Sequence, residues 1–514
     1  MPKASTDKGR SKFLSGVLLL TFSTVVVKII GLIYKIPMLS LLGGQGMGYF
    51  NSAYEIYALV CTISVSGLPV AMSVIISSSD EKRRGKIFYV SICLFLFMGV
   101  AFFLLMLLLS GKISLFLKNP KAMLAVMAIS PAAVFSCLSG AYRGYFQGNS
   151  KMLPISLSQI IEALGKLILG MIFAYAEKMR GGNIASVAAW GILGVTLSTA
   201  LGFVFLFIFK LASGKKEEIS KDSNRAENWQ ILKELVSLAF PITLSSLIVS
   251  LTRVVDMTMI LRRLQYIGYS CDSANFLYGS YTTMCLPLFA LSPALISAIA
   301  LPLIPSLSEN IAKNDKAGQK KYISDALTLT FFISMPIGLG MCLFSGEILS
   351  LLFSGQIDAI RLMKMPLCVL SLSVVTSCMI TLTNGILQSY RRVYIPIISM
   401  GVGCVIKLIL SYALISMPSV NILGAPISTL VCDAVISAIN IYYVKKSLSD
   451  KLSIIKIFSK PLLCTAVSVG GAYGFMKILT THIESSRLLT LTCIAIAGVS
   501  YLLLAGKEIL KIKN

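Results

Sequence analysis

Apolar residues in this chain come in runs too long for a soluble fold, separated by short polar clusters. Windows of about 20 apolar residues, the length that crosses a bilayer as a helix, place fourteen spans. They lie at roughly 14–40, 48–79, 86–110, 122–148, 153–176, 186–211, 231–261, 275–308, 322–345, 362–390, 393–416, 423–446, 458–480 and 487–505. The pattern is that of an all-α polytopic membrane protein. Pro69, Pro241, Pro287, Pro293, Pro302 and Pro305 interrupt the longer spans and predict bent helices beside a cavity.

The longest polar stretch, 212–230, separates six spans from eight, and the flanking segments resemble each other. Gly144-Tyr-Phe-Gln147 precedes Lys166-Leu-Ile-Leu169, and Gly385-Ile-Leu-Gln388 precedes Lys407-Leu-Ile-Leu410 at the same offset. Ile192-Leu-Gly194 followed by Ser198-Thr199 then matches Ile422-Leu-Gly424 followed by Ser428-Thr429 at a shorter offset. Two matches in the right order point to a repeat of six spans. An even number of spans gives copies of parallel orientation. The expected organisation is a tail (1–13), an N-lobe (14–211), a linker (212–230), a C-lobe (231–446), and two further spans with a tail (447–514).

Composition supports this class: 56% of residues are hydrophobic, 13% charged, and mean hydropathy is +0.83. The formal charge of +24 is not a nucleic-acid signal, because the basic residues concentrate in alternate loops. About 30 of the 46 lysines and arginines fall on one side by count, which makes both termini cytoplasmic in a plasma-membrane protein. Lys112, Lys118 and Lys121 pull the other way. The twelve cysteines lie mostly in apolar spans and read as packing residues. His482, the single histidine, has no ligand-like neighbours. Gly43-Gly44-Gln45-Gly46-Met47-Gly48 follows no strand, so it reads as a flexible outer hairpin and not as a phosphate loop. No metal, nucleotide or catalytic motif is present, so neither an enzyme nor a bound cofactor is expected. Coupling to an ion or to the membrane potential stays open.

Charged positions inside spans carry the functional argument. Thr21, Thr24, Lys28, Gly31 and Lys35 recur every three or four residues, which puts them on one helix face. A cation at mid-bilayer costs about 2.5–3.5 kcal/mol on the insertion scale, so this face either lines a water-filled cavity or pairs with a buried carboxylate. Thr243, Ser246, Ser250, Arg253 and Asp256 form a second stripe at similar spacing in span seven. Asp256 is placed to hold Arg253 as a structural pair; alternatively Arg253 is a second anion contact, since its planar fork matches phosphate oxygens. Glu162 and Lys166 stand in the favourable i,i+4 order, which structure alone explains. Lys407 repeats Lys166 without a local acid, and Asp433 is its candidate partner. Glu55, the acid nearest Lys35, is flanked by Tyr54 and Tyr57, which suit either an interfacial belt or a sugar-stacking surface.

These residues carry a resemblance. Lys28-Ile-Ile-Gly31, Gly46-Met-Gly48-Tyr-Phe-Asn-Ser-Ala-Tyr54-Glu-Ile-Tyr57, Gly67-Leu-Pro-Val-Ala-Met-Ser73 and Arg143-Gly-Tyr-Phe-Gln147-Gly resemble stage V sporulation protein B and its Firmicute relatives. Those form the polysaccharide-export branch of the multidrug/oligosaccharidyl-lipid/polysaccharide flippase superfamily. The resemblance implies two MATE- or MurJ-like lobes in a V around a central cavity, and a lipid-linked cell-wall precursor as cargo. Substrate contacts are then expected at Lys28, Lys35 and Arg253. Thr24, Gly31, Glu55, Arg143, Gln147, Glu162, Lys166, Asp256 and Lys407 would line or support the cavity. Expected partners are a lipid-linked oligosaccharide, membrane lipids and cell-wall synthases, with no nucleic acid. The competing readings are a cation-coupled multidrug exporter of the same superfamily, which favours a carboxylate-lined cavity, and a non-transporting scaffold for a polysaccharide synthase.

Overall fold

A computed structural model describes the backbone of residues 3–213, 225–448, 453–480 and 487–513. Among the described residues, regular structure is entirely helical. Thr21, His482 and most of the expected linker lie outside the described side chains or residues. The chain divides into two compact units, Met1–Thr283 and Met284–Asn514.

Unit 1 contains α1 (Lys3–Thr62), α2 (Leu68–Ser77), α3 (Glu81–Leu108), α4 (Ser110–Phe116), α5 (Met123–Ile129) and α6 (Ala132–Gly148). It continues through α7 (Met152–Met179), α8 (Ile184–Ala212), α9 (Arg225–Tyr266) and α10 (Cys271–Ser280). α1 is two helices joined at a break, where Gly43 takes φ 64° and ψ 176°. That left-handed value favours glycine. The expected hairpin at 43–48 is therefore replaced by a one-residue break, after which the chain re-enters helix at once. Gly44, Gly46 and Gly48 are buried. A Cβ on Gly279 of α10 would collide with the backbone of Gly44 and Gly48, so glycine lets α1 and α10 approach backbone to backbone. The same device seats α8 on α7, where a Cβ on Gly194 would strike the backbone of Gly170.

Unit 2 contains α11 (Leu286–Ala312), α12 (Lys316–Leu343), α13 (Ser345–Leu352), α14 (Ile357–Ser389) and α15 (Tyr394–Ile415). It ends with α16 (Gly424–Ser447), α17 (Ile454–Thr465), α18 (Gly471–Thr480) and α19 (Arg487–Lys513). The order of packing echoes that of unit 1. There, α3 packs on α6, α6 on α8 and α7 on α8; here, α12 packs on α14, α14 on α16 and α15 on α16. Of these, the sequence matches pair α6 with α14, α7 with α15 and α8 with α16.

Eleven helices among the described residues are long and apolar enough to cross a membrane, or twelve if the bent pair Pro120–Ile129 and Ala132–Gly148 is one span. The expected number was fourteen. Phe22–Thr62 counts once although it contains the Gly43 break, and α9, the expected span seven, is not among the eleven. The spans turn apolar side chains outward: Phe97 is 73% exposed and Leu503 72%, as lipid-facing surfaces require. Two of the expected bends coincide with π turns, Ile63–Gly67 and Tyr281–Cys285. Pro69 and Pro287 follow them by two residues, and each proline ring clashes with the carbonyl four residues back, which falls within the π turn. Pro241 and Pro293 lie in uninterrupted helical runs.

Candidate functional site

The polar face of α1 is open over its first half. Lys28 and Thr24 are exposed, and a Cβ added to Gly31 would meet nothing within 4 Å. Thr24 donates its hydroxyl to the Leu20 carbonyl at 2.9 Å, satisfying itself within the helix. Two turns beyond Lys28, Lys35 is half-buried and donates from Nζ to the carbonyl of Thr282 at 2.8 Å. Thr282 sits in the π turn Tyr281–Cys285, where the widened ladder leaves carbonyls turned outward. Its hydroxyl accepts from Asn51 Nδ2 at 2.8 Å, and Thr283 Oγ1 accepts from the same amide at 3.0 Å. Sequence pattern does not show this set, because a π turn has no spacing signature of its own.

After the Gly43 break, α1 presents Glu55 to α9. Arg253 Nε lies 4.0 Å from Glu55 Oε2, with the arginine side chain 52% exposed and the glutamate 24%. Arg253 also donates to Ser250 Oγ at 3.2 Å, and Ser250 Oγ meets Thr62 Oγ1 at 2.6 Å. Asp256 lies half-buried one turn along α9. Glu55 is within electrostatic reach of Arg253, Lys35 and Asp256, so the two polar stripes share one carboxylate neighbourhood.

A tighter cluster lies between α6, α7 and α8. Glu162 Oε1 accepts from Lys166 Nζ at 2.9 Å, the expected i,i+4 pair, and Glu162 Oε2 accepts from Arg143 at 3.0 Å. Arg143 Nε also donates to Ser158 Oγ at 3.3 Å, and Thr199 Oγ1 to Glu162 Oε1 at 3.4 Å. Lys166 Nζ stands 5.9 Å from the Tyr54 ring centroid, which ties this cluster to α1. Tyr54 in turn stacks on Phe50 and tilts against Tyr57, so packing accounts for those tyrosines without a sugar. Gln147 lies half-buried one turn beyond Arg143 on α6. In unit 2, Asn384 and Ser399 stand where the repeat aligns Arg143 and Ser158. Asn440 Nδ2 donates to Asn384 Oδ1 at 2.8 Å, and Ser399 donates to Asn440 Oδ1 at 2.7 Å. Lys407 is the charged neighbour of Asp433. Where unit 1 has Arg143 bonded to Glu162, unit 2 thus has an amide pair, Asn384 and Asn440.

Across these sites unit 1 holds Lys28, Lys35, Arg143, Lys166 and Arg253 against Glu55, Glu162 and Asp256, a surplus of two positive charges. Arg143 and Lys166 share one carboxylate in a largely buried cluster, whereas Lys28 and Arg253 are exposed residues. Among the described residues no cluster of three or more acidic, histidine or cysteine side chains that could hold a metal ion exists.

Similarity to known proteins agrees with this geometry. The family model described as polysaccharide biosynthesis protein matches residues 13–311, and the MatE model matches residues 280–413. Lipid II flippase MurJ of Bacillus subtilis (strain 168) is 25% identical over 438 residues, covering 82% of this chain and 80% of that protein. Stage V sporulation protein B of the same organism is 22% identical over 454 residues, covering 87% of this chain and 86% of that protein. The solved structure of lipid II flippase MurJ in an inward closed conformation superposes with a TM-score of 0.74 at 17% identity, covering 96% of this chain and 100% of that chain. Apolar spans, intramembrane cations and a family match over more than half of the sequence converge: the chain belongs to the polysaccharide biosynthesis protein family, within the MurJ- and MATE-like flippase superfamily.

Proposed function

We propose that this protein moves a polyprenyl-pyrophosphate-linked cell-wall saccharide, lipid II or a related peptidoglycan precursor, across the cytoplasmic membrane by alternating access. The observation that carries the reading is the pair of exposed cations, Lys28 and Arg253, on two helices of one compact unit. In this reading they face one cavity and neutralise the pyrophosphate. At about 4 Å and an effective dielectric near 20, each charge–phosphate contact contributes on the order of 4 kcal/mol before desolvation. Lys35, held by the Thr282 carbonyl, supplies positive potential without leaving its place. Both termini stay cytoplasmic, and the two lobes rock about the loaded site. The names of the relatives support a flippase over an enzyme. The MatE match at 280–413 keeps a cation-coupled exporter as the second reading.

The test is reconstitution into liposomes with fluorescent lipid II, followed by quenching of the label at the outer surface. Protein-dependent loss of protection is expected. Transport of organic cations with no movement of lipid II would support the exporter instead.

A further inference from the structure

We propose that unit 1 holds one resident anionic phospholipid in a groove between α3 and α9. The groove has a volume of about 610 Å³ and is lined by Tyr89, Cys93 and Phe97 of α3 and by Asn228, Trp229 and Leu232 of α9. This volume lies within the roughly 300–1,000 Å³ typical of small-molecule sites. Two ion pairs join the helices beside it, Arg83 to Glu234 at 3.2 Å and Lys86 to Glu227 at 2.7 Å. Lys82, Lys86, Tyr89, Cys93 and Phe97 recur at steps of three and four and therefore share one face of α3. Along that face the chemistry runs ammonium, ammonium, phenol, thiol, phenyl. The fifteen helical steps from Lys82 to Phe97 rise about 22 Å, roughly the depth of one leaflet with its headgroups.

A phospholipid presents the same order: phosphate, glycerol ester, hydrocarbon chain. Glu227 already engages Lys86, and Glu234 engages Arg83. Lys82, exposed at the top of the stripe, is the ammonium placed to meet the phosphate. Trp229, 68% exposed, and Tyr89, 51% exposed, line the groove with amphipathic rings, the kind that favours a headgroup boundary. Charge and depth together favour a glycerophospholipid with a net negative headgroup over phosphatidylcholine. This site is separate from the Lys28–Arg253 region and does not depend on the cargo assigned to it.

Native residues supply the test. The chain has two tryptophans, so W190F leaves Trp229 as the single tryptophan, excited selectively at the red edge of its absorption, in the purified protein. Phosphatidylglycerol brominated on its chains should quench Trp229 with saturation at low lipid-to-protein ratio. Unlabelled phosphatidylglycerol should reverse the quenching, and phosphatidylcholine should do so weakly. K82Q should lower the apparent affinity about fivefold, the equivalent of one basic residue at an anionic surface. In the unmodified protein, bound phosphatidylglycerol should slow alkylation of Cys93 by N-ethylmaleimide, mapped by peptide mass spectrometry. Quenching that tracks the brominated fraction equally for both lipids would mean an ordinary lipid annulus and overturn the proposal. Displacement by polyprenyl phosphate but not by phosphatidylglycerol would assign the groove to the cargo tail and also overturn it. So would Cys93 alkylation that ignores phosphatidylglycerol.

Discussion

Lys35 donates to the Thr282 carbonyl at 2.8 Å, while Lys28, two turns earlier on the same helix face, is exposed. One stripe thus contains a lysine that donates to a backbone carbonyl and a lysine that is exposed. The distinction separates the roles that spacing alone gives both residues equally.

Charge at Lys28 should matter more than its packing. Lys28→Arg is expected to retain partial transport, whereas Lys28→Gln, Lys28→Ala and Arg253→Ala lose it with normal amounts of protein in the membrane. Lipid II translocation in liposomes and immunoblots of membrane fractions measure the two effects separately. Native transport by Lys28→Gln would end the cationic-cavity mechanism.

Glu162 should behave in the opposite way. Its removal leaves Arg143 and Lys166 facing each other in a largely buried cluster, and breaking such a group costs roughly 3–5 kcal/mol. Glu162→Gln is expected to lower protein abundance and the melting temperature in detergent. Glu162→Gln with Lys166→Met should recover part of the loss, because one of the two unmatched cations is gone. A single variant with an unchanged melting temperature would remove the structural role assigned here.

Gly279 and Gly43 separate two uses of glycine. Gly279→Ala must push α10 away from Gly44 and Gly48 of α1, an overpacking typically worth about 1–3 kcal/mol. Gly43→Ala meets no neighbour within 4 Å and bears only the strain of φ 64° with ψ 176°, a region nearly reserved for glycine, on the order of 1–3 kcal/mol. Thermal unfolding should rank Gly279→Ala as the more damaging, because what it strikes is backbone. Equal melting temperatures would mean that the α1–α10 contact is not tight.

Orientation follows from loop charge and can be checked with thiol reagents. Cys271, at the start of α10 and half-exposed, should react with an impermeant maleimide in intact cells, as should a cysteine introduced at 180. Cysteines introduced in the 210–233 segment or at 450–456 should react only after the membrane is opened. Labelling of the 210–233 positions from outside would reverse the assignment.

Helix content and the apolar spans were legible because bilayer length sets a coarse signal that no tertiary contact overrides. The Glu162–Lys166 pair was legible because one helix turn brings those residues together. Arg143 was noticed only through the Arg-Gly-Tyr-Phe-Gln-Gly resemblance; its bond to Glu162 crosses between helices and leaves no local period. The Thr282 carbonyl that holds Lys35 was invisible, since any residue in a π turn supplies one. The glycines at 43–48 misled for a physical reason: the composition that permits a flexible hairpin is also the one that permits close helix packing. Only the partner, Gly279, decides between them.

The contrast between the ionic cluster of unit 1 and the amide network of unit 2 bears on how the two halves change over generations. Positions 143, 162 and 166 form a closed set of two cations and one anion, so replacing one member strands the others. Positions 384, 399 and 440 share neutral hydrogen bonds, where a hydroxyl or amide can be exchanged one at a time with a loss of about 1 kcal/mol each. Among orthologues the first three should therefore vary together or stay put, and the last three should drift singly. The amide network therefore has a shorter mutational path to change than the ionic cluster.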